Sequence, residues 1–445
     1  MQTETIIPVK TRNKAIFIIG VLFFIFGFVT WINSVLIPYF KLVCDLNTEQ
    51  SMLVAFAFYI SYFIMAIPSS FLLKKTGFKN GMVLGLMIIA AGALLFIPAA
   101  VNRTYSLFLL GLFIQATGLT ILQTASNPYV TIMGPIESAA KRISIMGICN
   151  KIAGAIAPLV LIHSLTKNPD EIDQLQIQLP GLSMQEQTVI LNELSSRLIV
   201  PYIIIALVLV GLGMMIRMTR LPEVKPHDKD FNGEGIKNNK TNIFQFPFLM
   251  LGAITIFCST SVEVLVVDSI INYGQYMGFS FREAKFFASY TLLIMVISYL
   301  TGIIVIPRFI QQKRVLQLSA ISGLVLCVLA VLISGKVSVW LICLLGLSNA
   351  LLWPSIWPLA IDGLGRFTEK GSALLIMGII GGALTPLLYG YLSDSVNPQQ
   401  AYWIMVPCYL FILFFSVKGH KMGKMTVDKP DKNSLLKRAT LYKTP

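Results

Sequence analysis

Charge is what this sequence has least of. Only 13% of its 445 residues are Asp, Glu, Lys or Arg, against roughly a quarter in a soluble domain. No arginine lies deep in any of its apolar runs. That argues against a phosphorylated or carboxylated solute held inside a membrane, because forked guanidinium groups are what grip such anions. His163, His227 and His420 sit at the ends of the runs or outside them, and the six cysteines show no metal-ligand spacing. Neither a metal centre nor an enzyme is expected, and the cysteines read as small apolar packing residues. Short alternating strands are lacking, which excludes a membrane β-barrel. Lys10, Arg12 and Lys14 precede an apolar run with no small-residue cleavage site after it, so the N-terminus reads as a first helix rather than a signal peptide.

What is present is apolar. The chain is 55% hydrophobic, and its mean hydropathy is +0.74. Runs long enough to cross the hydrocarbon core as helices recur from end to end. The sequence predicts an all-α polytopic membrane protein of twelve transmembrane helices, near 15–37, 50–73, 80–100, 105–130, 142–165, 198–217, 247–272, 284–307, 315–334, 338–361, 371–392 and 400–418. The net charge of +14 is a topology signal and does not point to nucleic acid. Apart from Lys151, the loops on one side hold only Lys41, Arg103, Lys167, Arg197, Arg282, Lys285 and Lys336, and every other Lys and Arg falls on the side of the two termini. Positive charge marks the cytoplasm, so both termini are expected there.

Residues 218–246 are basic, polar and glycine-containing, as a linker would be. They divide an N-terminal bundle (1–217) from a C-terminal one (247–418), which is followed by a basic tail (419–445). The loop at 166–197 is acidic and predicts a short amphipathic helix around Ser183–Ser195. The halves echo each other: Gly154-Ala-Ile-Ala-Pro-Leu159 resembles Gly382-Ala-Leu-Thr-Pro-Leu387, and Gln123 with Asn127-Pro128 falls opposite Trp353 with Trp357-Pro358 at nearly the same offset. Two parallel six-helix bundles related by an axis along the membrane normal are the layout of major facilitator transporters. The turn Leu73-Lys-Lys-Thr-Gly-Phe-Lys79 stands where those carry a glycine- and charge-rich loop.

Only Lys151, Glu263 and Asp268 are charged deep inside the runs. A charge there costs about 2.5–3.5 kcal/mol on insertion scales, so such residues face a protein interior or a watery cavity. Glu263 and Asp268 are five apart, about 140° around a helix, and share no face unless the helix is broken. Lys151 is expected to pair with one of them, either as a permanent structural pair or as one made and broken with cation binding. The uncharged polar residues of the runs gather on helices 1, 4, 5, 7 and 10. Amides both donate and accept, as sugar hydroxyls do, and Trp offers a face to a pyranose ring. Asn33, Gln123, Asn127, Asn150 and Trp353 are the candidate contacts for a neutral polyhydroxyl solute. Interhelical hydrogen bonding is the other reading of each amide.

Several stretches resemble the fucose permease branch of the major facilitator superfamily, above all its bacterial glucose/galactose transporters. They are Trp31-Ile-Asn-Ser-Val-Leu-Ile-Pro38, Tyr59-Ile-Ser-Tyr-Phe63, Gln123-Thr-Ala-Ser-Asn-Pro-Tyr-Val130, Met133-Gly-Pro135, Val262-Glu-Val264, Trp353 to Gly365 and Ile376 to Gly382. The resemblance implies a monomeric importer of a hexose across the bacterial inner membrane by alternating access, with cation symport. Proton-coupled fucose permeases carry an acid where this chain has Ser34 and a glutamate where it has Gln123. Here neither residue can carry a proton, so coupling falls to Glu263 and Asp268, with Lys151 as counter-charge and a proton or sodium as the ion. Carriers of N-acetylglucosamine or a nucleoside, a uniporter and a non-transporting sugar sensor are the alternatives.

Overall fold

The computed structural model describes residues 9–132, 139–168, 170–219, 242–306, 309–364 and 367–423, with side chains from Phe17 onward except 127–129, 131–132, 139–141 and 368–369. Most of the linker expected at 218–246 and of the tail expected at 419–445 lies outside the described residues. Among the described residues eleven helical stretches are long and apolar enough to cross a membrane. One of them, Thr48–Val101, has 54 residues. At ~1.5 Å per residue it would be about 80 Å long, against a hydrocarbon core of ~30 Å, so it makes two crossings. They are divided at Gly77, whose φ of 77° and ψ of 166° are not helical and suit a residue without Cβ. Gly77 lies in the basic turn that the sequence places between helices 2 and 3.

The twelve crossings are therefore span 1 (Phe17–Val43), spans 2 and 3 (Thr48–Val101), span 4 (Tyr105–Ser126), span 5 (Arg142–Leu165), span 6 (within Met184–Met218), span 7 (Pro247–Tyr276), span 8 (Phe281–Val305), span 9 (Gln312–Leu332), span 10 (Lys336–Ile361), span 11 (Lys370–Ser395) and span 12 (Pro398–Val417). They form the two six-helix bundles expected. Several spans are interrupted in a way that hydropathy does not reveal, spans 1 and 10 among them. Span 10 stops at Ala350 and restarts at Leu352, because the ring of Pro354 excludes the carbonyl four residues earlier from a helical bond. Span 1 stops at Trp31 and restarts at Asn33, and the Ser34 hydroxyl donates to the freed Trp31 carbonyl at 2.8 Å.

The expected loop helix is present at Met184–Ser196 and starts on a Ser183–Glu186 capping box. A second helix, Glu171–Gln178, precedes it. Arg197 ties the two together, donating twice to Glu171 at 2.9 Å and once to Glu193 at 3.1 Å. Burial pushes the Glu171 carboxyl up, but the Arg197 guanidinium and the Lys167 amide outweigh it and hold the group below the ordinary carboxylate range. A lowered folded value stabilises above the unfolded pKa of ~4.3 and is lost as pH falls. Glu171→Gln is therefore expected to lower the melting temperature of the purified protein at pH 7, and the difference from wild type should close as pH drops below ~4.

On the face away from the termini, each half clasps the other. The Asp394 carboxylate, at the end of span 11, accepts from the amides of Thr48 (3.3 Å) and Glu49 (2.8 Å) at the start of span 2. The Asp173 carboxylate, after span 5, accepts from the amides of Phe281 (2.7 Å) and Arg282 (3.3 Å) at the start of span 8. Both place a negative group at the positive end of a helix of the opposite half. A Cβ on Gly390 would lie 2.8 Å from the Glu49 Cα, so spans 2 and 11 touch and this face is shut between them.

Candidate functional site

Spans 1 and 5 approach backbone to backbone. A Cβ on Gly27 would lie 1.8 Å from the Asn150 carbonyl oxygen, and one on Gly154 would lie 2.3 Å from Trp31 Cδ1. The two glycines let the Trp31 ring lie flat on span 5, where its Nε1 donates to Asn150 Oδ1 at 3.1 Å. One residue on, the Lys151 ammonium stands 4.0 Å from the centre of the Trp31 ring and forms an ion pair with Glu263 of span 7. The two charged side chains are 5% and 15% exposed. An unbroken line of contacts thus runs from Asn150 through Trp31 and Lys151 to Glu263 and crosses from one half to the other. In such a place cation–π contact is worth about 2 kcal/mol.

Span 7 is one continuous helix, Pro247–Tyr276, so its two acids do point apart as their spacing predicts. Glu263 takes the lysine. Asp268 is fully buried, and neither of its oxygens has a hydrogen-bond partner. Asn33 is equally buried with both amide atoms unpartnered, on the part of span 1 that packs against span 7. The Tyr59 hydroxyl of span 2 and the Asn272 Nδ2 are also unpartnered. Each unmade bond of this kind costs about 1–3 kcal/mol, so such groups are uncommon in ordinary core.

The other predicted contacts are placed as follows. Gln123 is half-buried and donates to the Tyr62 hydroxyl at 3.1 Å. Trp353 is half-buried and stacked on Trp357, with centroids 5.4 Å apart at 25°. The side chain of Asn127 lies outside the described residues. Asn349, one of the amides singled out on helix 10, donates to the Val262 carbonyl at 3.2 Å and accepts from Tyr409 at 2.7 Å; it ties spans 7, 10 and 12 together. Tyr59 and Tyr62, which the sequence offers within a resembling stretch but not as candidate contacts, stack with ring centroids 6.2 Å apart. Their three-residue spacing in Tyr59-Ile-Ser-Tyr62 puts them on one helix face and was the available signal. Among the described residues no three His, Cys, Asp or Glu side chains gather as a metal-ligand set.

The model of the Major Facilitator Superfamily matches residues 19–379. The glucose/galactose transporter of Brucella abortus biovar 1 (strain 9-941) is 33% identical over 418 residues, which is 93% of this chain and 95% of that protein. The L-fucose-proton symporter of Escherichia coli (strain K12) is 30% identical over 399 residues, 89% of this chain and 90% of that one. A crystal structure of the E. coli fucose:proton symporter superposes with a TM-score of 0.71 at 26% identity, covering 94% of this chain and 100% of that one.

Proposed function

The chain belongs to the Major Facilitator Superfamily, a family of transporters and not of enzymes, and on that premise we propose that it imports a hexose of the glucose/galactose class across a bacterial inner membrane. The two halves rock about the site between them, and entry of the sugar is coupled to a cation. Both termini are cytoplasmic in this reading, so the clasped face is periplasmic and the structure is closed on that side. The protein acts as a monomer.

One observation carries the reading. Deep inside the spans, the interface between the halves carries amides and aromatic rings, and the charges found there among the described residues are the internally compensated Lys151–Glu263 pair and the isolated Asp268. That suits an uncharged solute rich in hydroxyls. Asn33, Gln123, Asn127 and Asn150 supply the donors and acceptors, and Trp353 on its Trp357 partner supplies the flat apolar face. Likeness to a glucose/galactose transporter over nearly the whole chain points to the same class, and likeness to an L-fucose-proton symporter makes fucose the first competing substrate to test.

The test is radiolabelled glucose uptake into proteoliposomes of the purified protein, under an inward proton gradient and under an inward sodium gradient. Galactose, fucose, N-acetylglucosamine and a nucleoside serve as competitors. Accumulation blocked by hexoses alone supports the proposal; accumulation blocked by the nucleoside and not by hexoses overturns it. Saturable exchange that ignores both gradients would make the protein a uniporter. Trp353→Ala is expected to raise the dissociation constant for glucose about tenfold, or ~1.4 kcal/mol. Isothermal titration in detergent checks this.

A further inference from the structure

Of the two acids in span 7, only one is free to change its charge. Protonating Glu263 would leave the Lys151 ammonium uncompensated in a nearly dry place, and breaking a buried pair in this way is strongly unfavourable. Asp268 is in the opposite situation. It is fully buried, and no donor or cation reaches either oxygen. An ionised carboxylate so placed has lost its water and gained nothing in return, whereas the neutral acid is tolerated.

The titratable groups on the elements packed against this stretch do not change the balance. Lys41 of span 1 is bonded to Thr48 at 2.9 Å. Tyr402 of span 12 shares a hydrogen bond with Ser269 at 2.7 Å, and Tyr389 of span 11 packs against its ring. Tyr273 is bonded to Ser338. Tyr59 of span 2, itself unpartnered, lies near Asp268. Tyr59 belongs to the N-terminal half and sits on the joint between the halves: a Cβ on Gly382 of span 11 would meet its ring at 3.0 Å. Asp268 is therefore buried close to a side chain that belongs to the other rocking half.

We infer that Asp268 is the proton carrier of the transport cycle, while Lys151 and Glu263 keep their charges through it. The inference rests on the reading of the chain as a coupled sugar carrier. In the conformation seen here Asp268 holds its proton. When the halves rock and the clasped periplasmic face opens, a proton from periplasmic water forms the O–H bond on the Asp268 carboxylate. When the cytoplasmic side admits water the O–H bond breaks, the proton passes to that water, and no further reactant is consumed.

Two measurements test it, the first without any sugar. Infrared spectra of the purified wild type at neutral pH should show the C=O stretch of a protonated carboxylic acid that is missing in Asp268→Asn. Its absence from the wild type overturns the inference whether or not sugar moves. The second uses proteoliposomes under a pH gradient of about one unit, where one proton per sugar supports about tenfold accumulation of glucose. The wild type should reach that ratio, Asp268→Asn should fall to about one relative to its own rate of glucose exchange, and Asp268→Glu should recover part of it. Asn mimics the neutral acid in shape, so the variant is expected to fold, and its melting temperature verifies this. Full accumulation by Asp268→Asn, or wild-type accumulation driven by sodium alone, overturns the proton assignment. A wild type that shows the infrared band but exchanges no hexose would instead overturn the sugar reading and leave the protonated Asp268 standing.

Discussion

Lys151→Ala is expected to abolish sugar accumulation and to destabilise the folded protein by about 3–5 kcal/mol, the usual cost of orphaning one member of a buried ion pair. The size follows from where the pair sits. The Lys151 and Glu263 side chains are only 5% and 15% exposed, so the carboxylate left behind has little water to turn to. The substitution also removes the ammonium from the face of Trp31, and with it part of what holds that ring against Asn150. Glu263→Gln should be similarly damaging, now because the lysine is orphaned. The double variant Lys151→Met/Glu263→Met should recover most of the lost stability, since replacing a buried pair by apolar groups is often neutral. It should not recover accumulation, because the charge that holds span 5 to span 7 across the halves is gone. Melting temperatures of the three variants in lipid nanodiscs, read as a double-mutant cycle, give the coupling. Single variants as stable as the wild type would mean that the pair stands in water.

Gly27→Ala is expected to be nearly as severe. One methyl group would lie 1.8 Å from the Asn150 carbonyl oxygen and 2.6 Å from its carbon. Both are backbone atoms of a packed helix and cannot swing aside, so spans 1 and 5 must separate. Overpacking of this kind costs typically 1–3 kcal/mol, and occasionally more; a backbone clash falls at the upper end. The Trp31–Asn150 hydrogen bond would break with it and disturb the line that leads to Lys151. Gly211→Ala in span 6 is the control, since a Cβ there meets nothing within 4 Å. Glycine is common in membrane helices for both reasons, close approach and mere tolerance. The yield of folded protein and glucose uptake should separate the two variants clearly. Equal behaviour would show that the helices are not in contact at Gly27.

Some of the site was legible before any coordinates. Lys151, Glu263 and Asp268 stood out because buried charge is costly, and a spacing of five already implied that the two acids diverge. Which acid takes the lysine was not legible. That choice depends on how span 7 is rotated against span 5, and the rotation is set by glycine contacts and side-chain volumes along several helices at once. Asn349 and Asn33 show the same limit. Both are amides in apolar runs, yet Asn349 is consumed by Val262 and Tyr409 whereas Asn33 is left unpartnered. Tyr59 was not a candidate contact because an aromatic residue in a span is unremarkable until its hydroxyl is found without a partner.

By itself the sequence determined that this is a membrane protein of twelve crossings, where most of them begin and end, and that its interior holds very few charges. Those properties are local: a helix crosses if some twenty consecutive residues tolerate lipid, whatever the rest of the chain does. Even the capped loop helix at Met184–Ser196 follows from a few adjacent residues. The tertiary structure alone decided that Lys151 meets Glu263, that Asp268 meets no one, that Tyr59 lies over the joint between the halves, and that Asp394 and Asp173 shut one face. These depend on which helix faces meet across the bundle, and residues far apart in the chain become neighbours only once every helix has its place.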